Sequence, residues 1–185
     1  DIIKTNSDLL LRLINDILDV SRLEADRVTF TIEECDVVPL CQRVLASVNQ
    51  ARKSENEFIF ECDRESVDMR TDTQRLQQVI INLLSNADKF TRNGKITLKL
   101  EVDEDRRVVI FSVSDTGTGI PLEKQKLVFE RFEKLNEYVQ GTGLGLSICK
   151  LTVEKWGGEI WVDPGYTEGA RFMFTHPLDI EQPTK

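Results

Sequence analysis

"DTQRLQQVIINLLSNADKFT", residues 72–91, is the stretch that commits the chain to a fold. Leu76, Val79, Ile80, Leu83, Leu84 and Ala87 fill one broad arc at 100° per residue, which predicts a helix from about Thr73 to Phe90 with that arc against a core. Asn82, Asn86 and Lys89 fall within roughly 60° of one another on a second face, at i, i+4 and i+7. Asparagine is a poor helix former, and an ordinary solvated stripe would carry Glu, Lys or Gln. An amide oxygen is a hard, neutral ligand suited to Mg²⁺, which takes few protein ligands beside waters and phosphate oxygens. A neighbouring lysine meets a phosphate as a point charge. The face therefore reads either as solvated surface or as one wall of a metal-phosphate site.

Upstream, Leu10, Leu13, Ile14, Ile17, Val20 and Leu23 recur at spacings of three and four, predicting an amphipathic helix from Ile2 to Leu23. The period switches at "EADR", and "RVTFTIEECDVV" alternates as a strand does, so a helical arm meets a separate body near Arg27. A helix after Pro39 ("PLCQRVLASVNQARK") and two short strands ("EFIFEC", "VDMRT") lead to the central helix. Beyond it, "KITLKLEV" and "RRVVIFSVSD" form a hairpin across "DEDR", and "GGEIWVD" and "GARFMFTHPL" supply a last pair of strands. Helices interleaved with hairpins predict an α/β two-layer sandwich, a mixed sheet with helices on one face. The expected divisions are a helical arm with its linker over 1–27, a body over 28–179 and a tail over 180–185.

Two loops carry further chemistry. "QGTGLGLSICK", residues 140–150, sets three glycines at alternate positions before a helical period at Leu144, Ile148 and Leu151. Each glycine costs a helix about 1 kcal/mol relative to alanine. Either the loop is shaped for packing, or its unpaired N–H groups receive an anion at the helix start. Position 146 is Leu, which breaks the dinucleotide fingerprint, and no Gly-Lys-Ser/Thr follows to make a P-loop. "SVSDTGTGIP", residues 112–121, ends a strand in Asp115 before Gly117 and Gly119. An ionised carboxylate only accepts, so it complements the amino group of adenine, while glycines allow a ring close to the backbone. In isolation the motif is equally a turn.

Taken in order, with "FERF" between the last two, these stretches resemble the catalytic ATP-binding domain of sensor histidine kinases. "LQQVIINLLSNADKFT" is similar to that family's asparagine box, "DTGTGI" to its first glycine box, "FERF" to its phenylalanine box and "GTGLGLSI" to its second glycine box. "INDILDVSRLEA" resembles the end of the dimerisation hairpin, so the likeness runs from about Leu9 to Phe174. The resemblance implies a Bergerat-type fold, shared with gyrase, MutL and heat-shock chaperone ATPases, with ATP between the asparagine-box helix and a lid. It implies Asn86 as the Mg²⁺ ligand, Asn82 as a polar partner of the metal-phosphate group, Lys89 on phosphate and Phe90 lining the cavity. Asp115 would bind the adenine amino group beside Gly117, Gly119 and Ile120, and Phe129 and Phe132 would anchor a lid over Glu133 to Gln140. Gly141, Thr142, Gly143, Leu144 and Gly145 would surround the triphosphate. Gln140 stands where many of these kinases have another glycine.

The implied reaction passes the γ-phosphoryl group to a histidine on the first helix of the dimerisation hairpin, and thence to a response-regulator receiver domain. No such acceptor motif is present in the chain. Its single histidine, His176, follows a terminal strand and precedes Pro177, an unsuitable place for the acceptor or for the base of a catalytic triad. The competing readings are an ATP-hydrolysing clamp of the gyrase or MutL type and a silent nucleotide-binding module. Those ATPases carry a Glu base one turn before the metal-binding Asn, where this chain has Asn82, and an amide cannot take a proton from water.

Composition sets the outer limits. A chain of 185 residues, 40% apolar, accommodates one ordinary domain and an appendage. A net charge of −8 argues against holding nucleic acid or an anionic membrane by bulk electrostatics. No apolar run approaches the ~20 residues of a membrane span, so a cytoplasmic location is expected, whether or not a parent protein is membrane-anchored. The chain opens at Asp1 within a helix, as expected of a piece of a longer, homodimeric protein. Cys35, Cys41, Cys62 and Cys149 are scattered and read as small core residues.

Overall fold

The computed structural model describes residues 2–52, 54–134 and 141–180. The elements run α1 (Ile2–Glu24), β1 (Glu33–Asp36), α2 (Val37–Arg52), β2 (Glu57–Cys62), β3 (Asp68–Thr71), α3 (Thr73–Phe90), β4 (Lys95–Asp103), β5 (Val108–Asp115), α4 (Gly145–Lys155), β6 (Ile160–Val162) and β7 (Arg171–Pro177). Five strands form one sheet in the order β2-β4-β5-β7-β6, parallel only between β2 and β4. This is the mixed sheet and α/β architecture that the alternation of helices and hairpins predicts.

Period-two patterning sends Ile96, Leu98 and Leu100 of β4, Val109, Phe111 and Val113 of β5, and Phe172 and Phe174 of β7 to one face of the sheet, where all are buried. Phe111 and Phe174 stack with ring centroids 4.6 Å apart. Against that face lie α2, α3 and α4, and Leu76, Val79, Ile80, Leu83, Leu84 and Ala87 of α3 form the buried arc expected of them. Asp72 starts α3 by accepting the N–H of Arg75 at 3.0 Å.

The long strand expected over "RVTFTIEECDVV" is much shorter. Only Glu33–Asp36 pair, and they pair with β3 in a separate two-stranded sheet. Before it, the Thr31 N–H donates to the Asp72 carboxylate at 2.9 Å instead of to a neighbouring strand, and Phe30 packs against Trp156. After it, the Asp36 carboxylate accepts from Val38 N–H at 3.1 Å and opens α2. The helix thus begins before Pro39, which sits in the first turn, where its missing N–H has no partner to lose.

Val20 and Leu23 of α1 join Leu144 and Ile148 in a satellite apolar cluster, which docks the arm on α4. Asp19 pairs with Arg75 at 3.4 Å and accepts from Gln78 at 3.2 Å, while Glu24 pairs with Arg131 and Asp26 with Lys155. The cysteines are free thiols, with Cys41 and Cys149 buried and Cys35 and Cys62 partly so.

Candidate functional site

Three pieces of the chain come together at α3: its own polar face, the turn before α4, which lies against that face, and the end of β5, which lies against the helix's C-terminal end at Phe90 and Thr91. Asp115 closes β5, and its residue is only 3% exposed. Its Oδ1 accepts the N–H of Gly117 at 2.9 Å and of Ala170 at 3.2 Å. Burial raises its pKa, and those two bonds together with the nearby Thr91 hydroxyl pull it partly back. Both backbone bonds end on Oδ1, so Oδ2 keeps lone pairs for another donor. Beside it, Thr91 Oγ1 is buried with no hydrogen-bond partner of ordinary geometry. A buried carboxylate and an unsatisfied buried hydroxyl together suit the polar edge of a ring that brings its own donor and acceptor.

The glycines divide into two kinds. A Cβ on Gly117 would lie 2.2 Å from the Phe90 carbonyl oxygen, and Gly119 needs a φ of 71° with the Gly169 carbonyl oxygen 3.1 Å from such a Cβ. Gly143 has φ 73° and is pressed on the Phe132 backbone at 2.9 Å. The protein's own packing already requires glycine at these three positions. Gly141 and Gly145 differ. A Cβ there would meet only Lys89 Nζ at 3.2 Å or the Asn82 amide at 3.8 Å, so their bareness faces the polar stripe.

That stripe is assembled as its spacing predicts. Asn82 is half-buried and its Nδ2 donates to the Gly145 carbonyl at 3.4 Å, joining α3 to the start of α4. Asn86, one turn on, is half-buried, and its side-chain amide has no hydrogen-bond partner among the described residues. Lys89 keeps an exposed surface, yet the protein around it, then the cations Arg52, Arg12 and Lys134, lower its pKa. Of these neighbours, Arg52 has a carboxylate at hand, Asp88 at 3.6 Å. Among the described residues Lys89, Arg12 and Lys134 have no ion pair, and such a surplus of positive charge is the electrostatics of an anion site.

Phe90 and Ile120 are half-buried at the margin. Phe129 is buried and meets Phe172 edge-on at 6.0 Å, whereas Phe132 leaves its ring 61% exposed and contributes instead its N–H, donated to the Gly143 carbonyl at 2.8 Å. Its φ of 62° turns the chain toward the glycine loop. Of the expected lid, residues 135–140, Gln140 among them, lie outside the described residues. Thr142 donates to Asp16 at 2.6 Å and accepts from Leu144 N–H at 3.3 Å, and Leu144 is buried under α1.

The model of the histidine kinase-, DNA gyrase B- and HSP90-like ATPases matches residues 71–180, which take in all three pieces. The chain belongs to that ATPase family. It is 38% identical over 183 residues to the circadian input-output histidine kinase CikA of Synechococcus elongatus, covering 95% of this chain and 24% of that protein. Full-length ShkA, solved in complex with AMPPNP, superposes with a TM-score of 0.84 at 29% identity, over 96% of this chain and 38% of that one. Histidine kinase ThkA, solved in complex with the response regulator protein TrrA, does so with a TM-score of 0.79 at 31% identity, over 96% of this chain and 49% of that one. The chain thus spans less than half of each of these proteins. At the level of the family it is an ATP-binding catalytic domain of the histidine kinase kind.

Within this ATPase fold the structure adds residues that spacing did not single out. Asp16 reaches the glycine loop from α1, Thr91 lies beside Asp115, and Gly169 must be glycine because a Cβ would lie 2.1 Å from the Asp115 carbonyl oxygen. Their sequence signals were faint: a polar residue in an amphipathic helix, a helix-end threonine, a glycine in a turn. Among the described residues no cluster of three or more His, Cys, Asp or Glu side chains could hold a metal, and no helix is long and apolar enough to cross a membrane.

Proposed function

We propose that this chain is the ATP-binding catalytic domain of a protein-histidine kinase, preceded by the second helix of the dimerisation hairpin over residues 1–27, with the body over 28–179 and a tail over 180–185. The observation that carries the reading is that one helix, α3, meets both halves of the site: its C-terminal end lies against the turn that follows the buried Asp115, whose two backbone bonds fall on one oxygen, and its Asn82 and Lys89 face Gly145 and Gly141. Asp115 accepts from the adenine amino group, with Gly117, Gly119 and Ile120 shaping the turn and Phe90 the wall. Lys89 and the backbone of residues 141–145 take the phosphates, with Thr142 and Leu144 holding that loop. Phe129 fixes the base of the lid and Phe132 its entry.

Asn86, with Asn82 beside it, fits Mg²⁺: a half-buried neutral amide with no other partner supplies a hard oxygen and leaves most of the coordination to phosphate and water. When bound, the ion neutralises charge developing on the phosphates. The protein's own contribution is orientation and fixed positive charge; it forms no covalent bond to substrate. The γ-phosphoryl group goes to a histidine of an upstream helix and then to an aspartate of a receiver domain, in a cytoplasmic homodimer.

Titration calorimetry with ATP, with and without Mg²⁺, on the chain and on Asn86→Ala tests this. The variant should lose roughly tenfold or more of its affinity with Mg²⁺ present and little without it, the loss of about one hydrogen-bond or ligand contact. Equal losses in both conditions would remove Asn86 from the metal, and absence of binding by the unaltered chain would sink the function.

A further inference from the structure

β5 stops at Asp115, and what holds that last residue comes largely from the loop between β6 and β7. Its N–H donates to the Ala170 carbonyl at 2.8 Å. Its carbonyl accepts the Tyr166 hydroxyl at 3.0 Å, and its Oδ1 accepts from Ala170 N–H and, on the other side, from Gly117 N–H. The carbonyl belongs to the peptide that leads into Thr116 and Gly117. Pinning it fixes the turn from which the Gly117 N–H aims at the carboxylate.

Tyr166 is itself held. Asp163 opens a tight turn in which Gly165 N–H donates to Oδ1 at 2.9 Å, and Tyr166 N–H to the main-chain oxygen at 3.4 Å. The Arg171 guanidinium lies 4.2 Å from the centre of the Tyr166 ring, pairs with Asp163 Oδ2 at 3.2 Å, and donates from Nε to Ser114 Oγ at 3.4 Å. A guanidinium over an aromatic face and a carboxylate on its fork make a rigid support for the phenol. Burial first, then the charge of Glu168, raise the phenol's pKa, so it remains a donor at neutral pH.

A loop stapled only for stability could end anywhere on β5; this one ends on Asp115, the residue assigned above to the adenine amino group. We propose that Tyr166 is a positioning residue for base selection, holding the Asp115 main chain so that its carboxylate meets the exocyclic amino group of an adenine nucleotide. Tyr166 touches no nucleotide in this arrangement, and the inference rests on the assignment of Asp115 made above.

Tyr166→Phe removes the hydroxyl and keeps the ring under Arg171. Its affinity for ATP and for purine riboside 5′-triphosphate, which lacks the amino group, is measured by calorimetry beside the unaltered chain, with circular dichroism melts as the check on folding. The expected result is a fall of about threefold to tenfold for ATP, the effect of one hydrogen bond, with a much smaller change for the analogue, so that the preference for the amino group shrinks. Arg171→Lys, which keeps the hydroxyl but loosens its support, should give an intermediate preference. If the unaltered chain prefers ATP and Tyr166→Phe keeps the whole of that preference, the positioning role is overturned while Asp115 stands. If the unaltered chain binds both nucleotides equally, the Asp115 assignment falls and the role of Tyr166 falls with it.

Discussion

Glycines that look alike in sequence do different things, and single substitutions separate them. Gly117→Ala places a Cβ 2.2 Å from the Phe90 carbonyl, a backbone atom that cannot swing aside, so the body should lose roughly 1–3 kcal/mol of stability in a urea melt. Gly145→Ala meets only the Asn82 amide at 3.8 Å, so its melting curve should stay near that of the unaltered chain while Mg-ATP affinity falls about tenfold or more. Unchanged affinity in Gly145→Ala would return that glycine to a packing role. Asp115→Ala should weaken ATP binding by roughly 1.5–3 kcal/mol, the range for a hydrogen bond to a charged group, read by calorimetry on the folded variant. The polar stripe was legible because helical periodicity alone places Asn82, Asn86 and Lys89 together. Which glycines the protein's own packing requires was not, because that depends on a carbonyl from the end of α3 and a loop some 50 residues on.

α3, β4, β5 and the final hairpin were readable at the level of elements, since each has an uninterrupted period and a buried face. The stretch from Arg27 to Asp36 misled because Val28, Phe30 and Ile32 alternate without strand partners: Phe30 packs on Trp156, and the backbone N–H of Thr31 goes to a side chain. Period two reports alternate burial, and a loop draped over a core can show it as well as a sheet. The junction of α4 and β7 carries a consequence of its own. His176 is fully buried on the core face of β7, with Trp156 4.6 Å from its ring. Its Nδ1–H donates to the Pro177 carbonyl at 2.6 Å, which leaves Nε2 to accept the Thr71 hydroxyl at 2.9 Å.

Burial lowers the His176 pKa from 6.5 to about 4, so the native state keeps the ring neutral while the unfolded chain protonates it. The stabilisation is whole above pH 6.5 and is lost as pH falls toward 4. Urea melts should show a loss of about 2 kcal/mol between pH 7.5 and pH 5 that is absent in His176→Phe. An identical pH dependence in both chains would deny His176 that role. The same burial removes it from any part in phosphoryl transfer, since no nucleotide phosphate can reach a ring enclosed by β3, β7 and α4.

Across the whole molecule, α1 is the part only half accounted for by what surrounds it. Its Val20 and Leu23 are covered by α4, while Leu10, Leu11, Ile14, Ile17 and Leu18 remain exposed, more apolar surface than a solitary helix carries. In the function proposed here that surface packs in a four-helix bundle made by two hairpins, and the arm also reaches the nucleotide loop through Asp16 and Thr142. In that function the chain holds Mg-ATP for transfer to a histidine it does not itself contain. Incubation with γ-³²P-ATP and Mg²⁺, followed by assay of acid-labile, base-stable label, puts that to the test on two proteins: this chain, and the same chain extended by the preceding helix. The extended protein should acquire such label on a histidine of the added helix while this chain binds ATP and stays unlabelled. Stoichiometric acid-labile label on the chain as it stands would mean that the phosphoryl acceptor lies within these 185 residues.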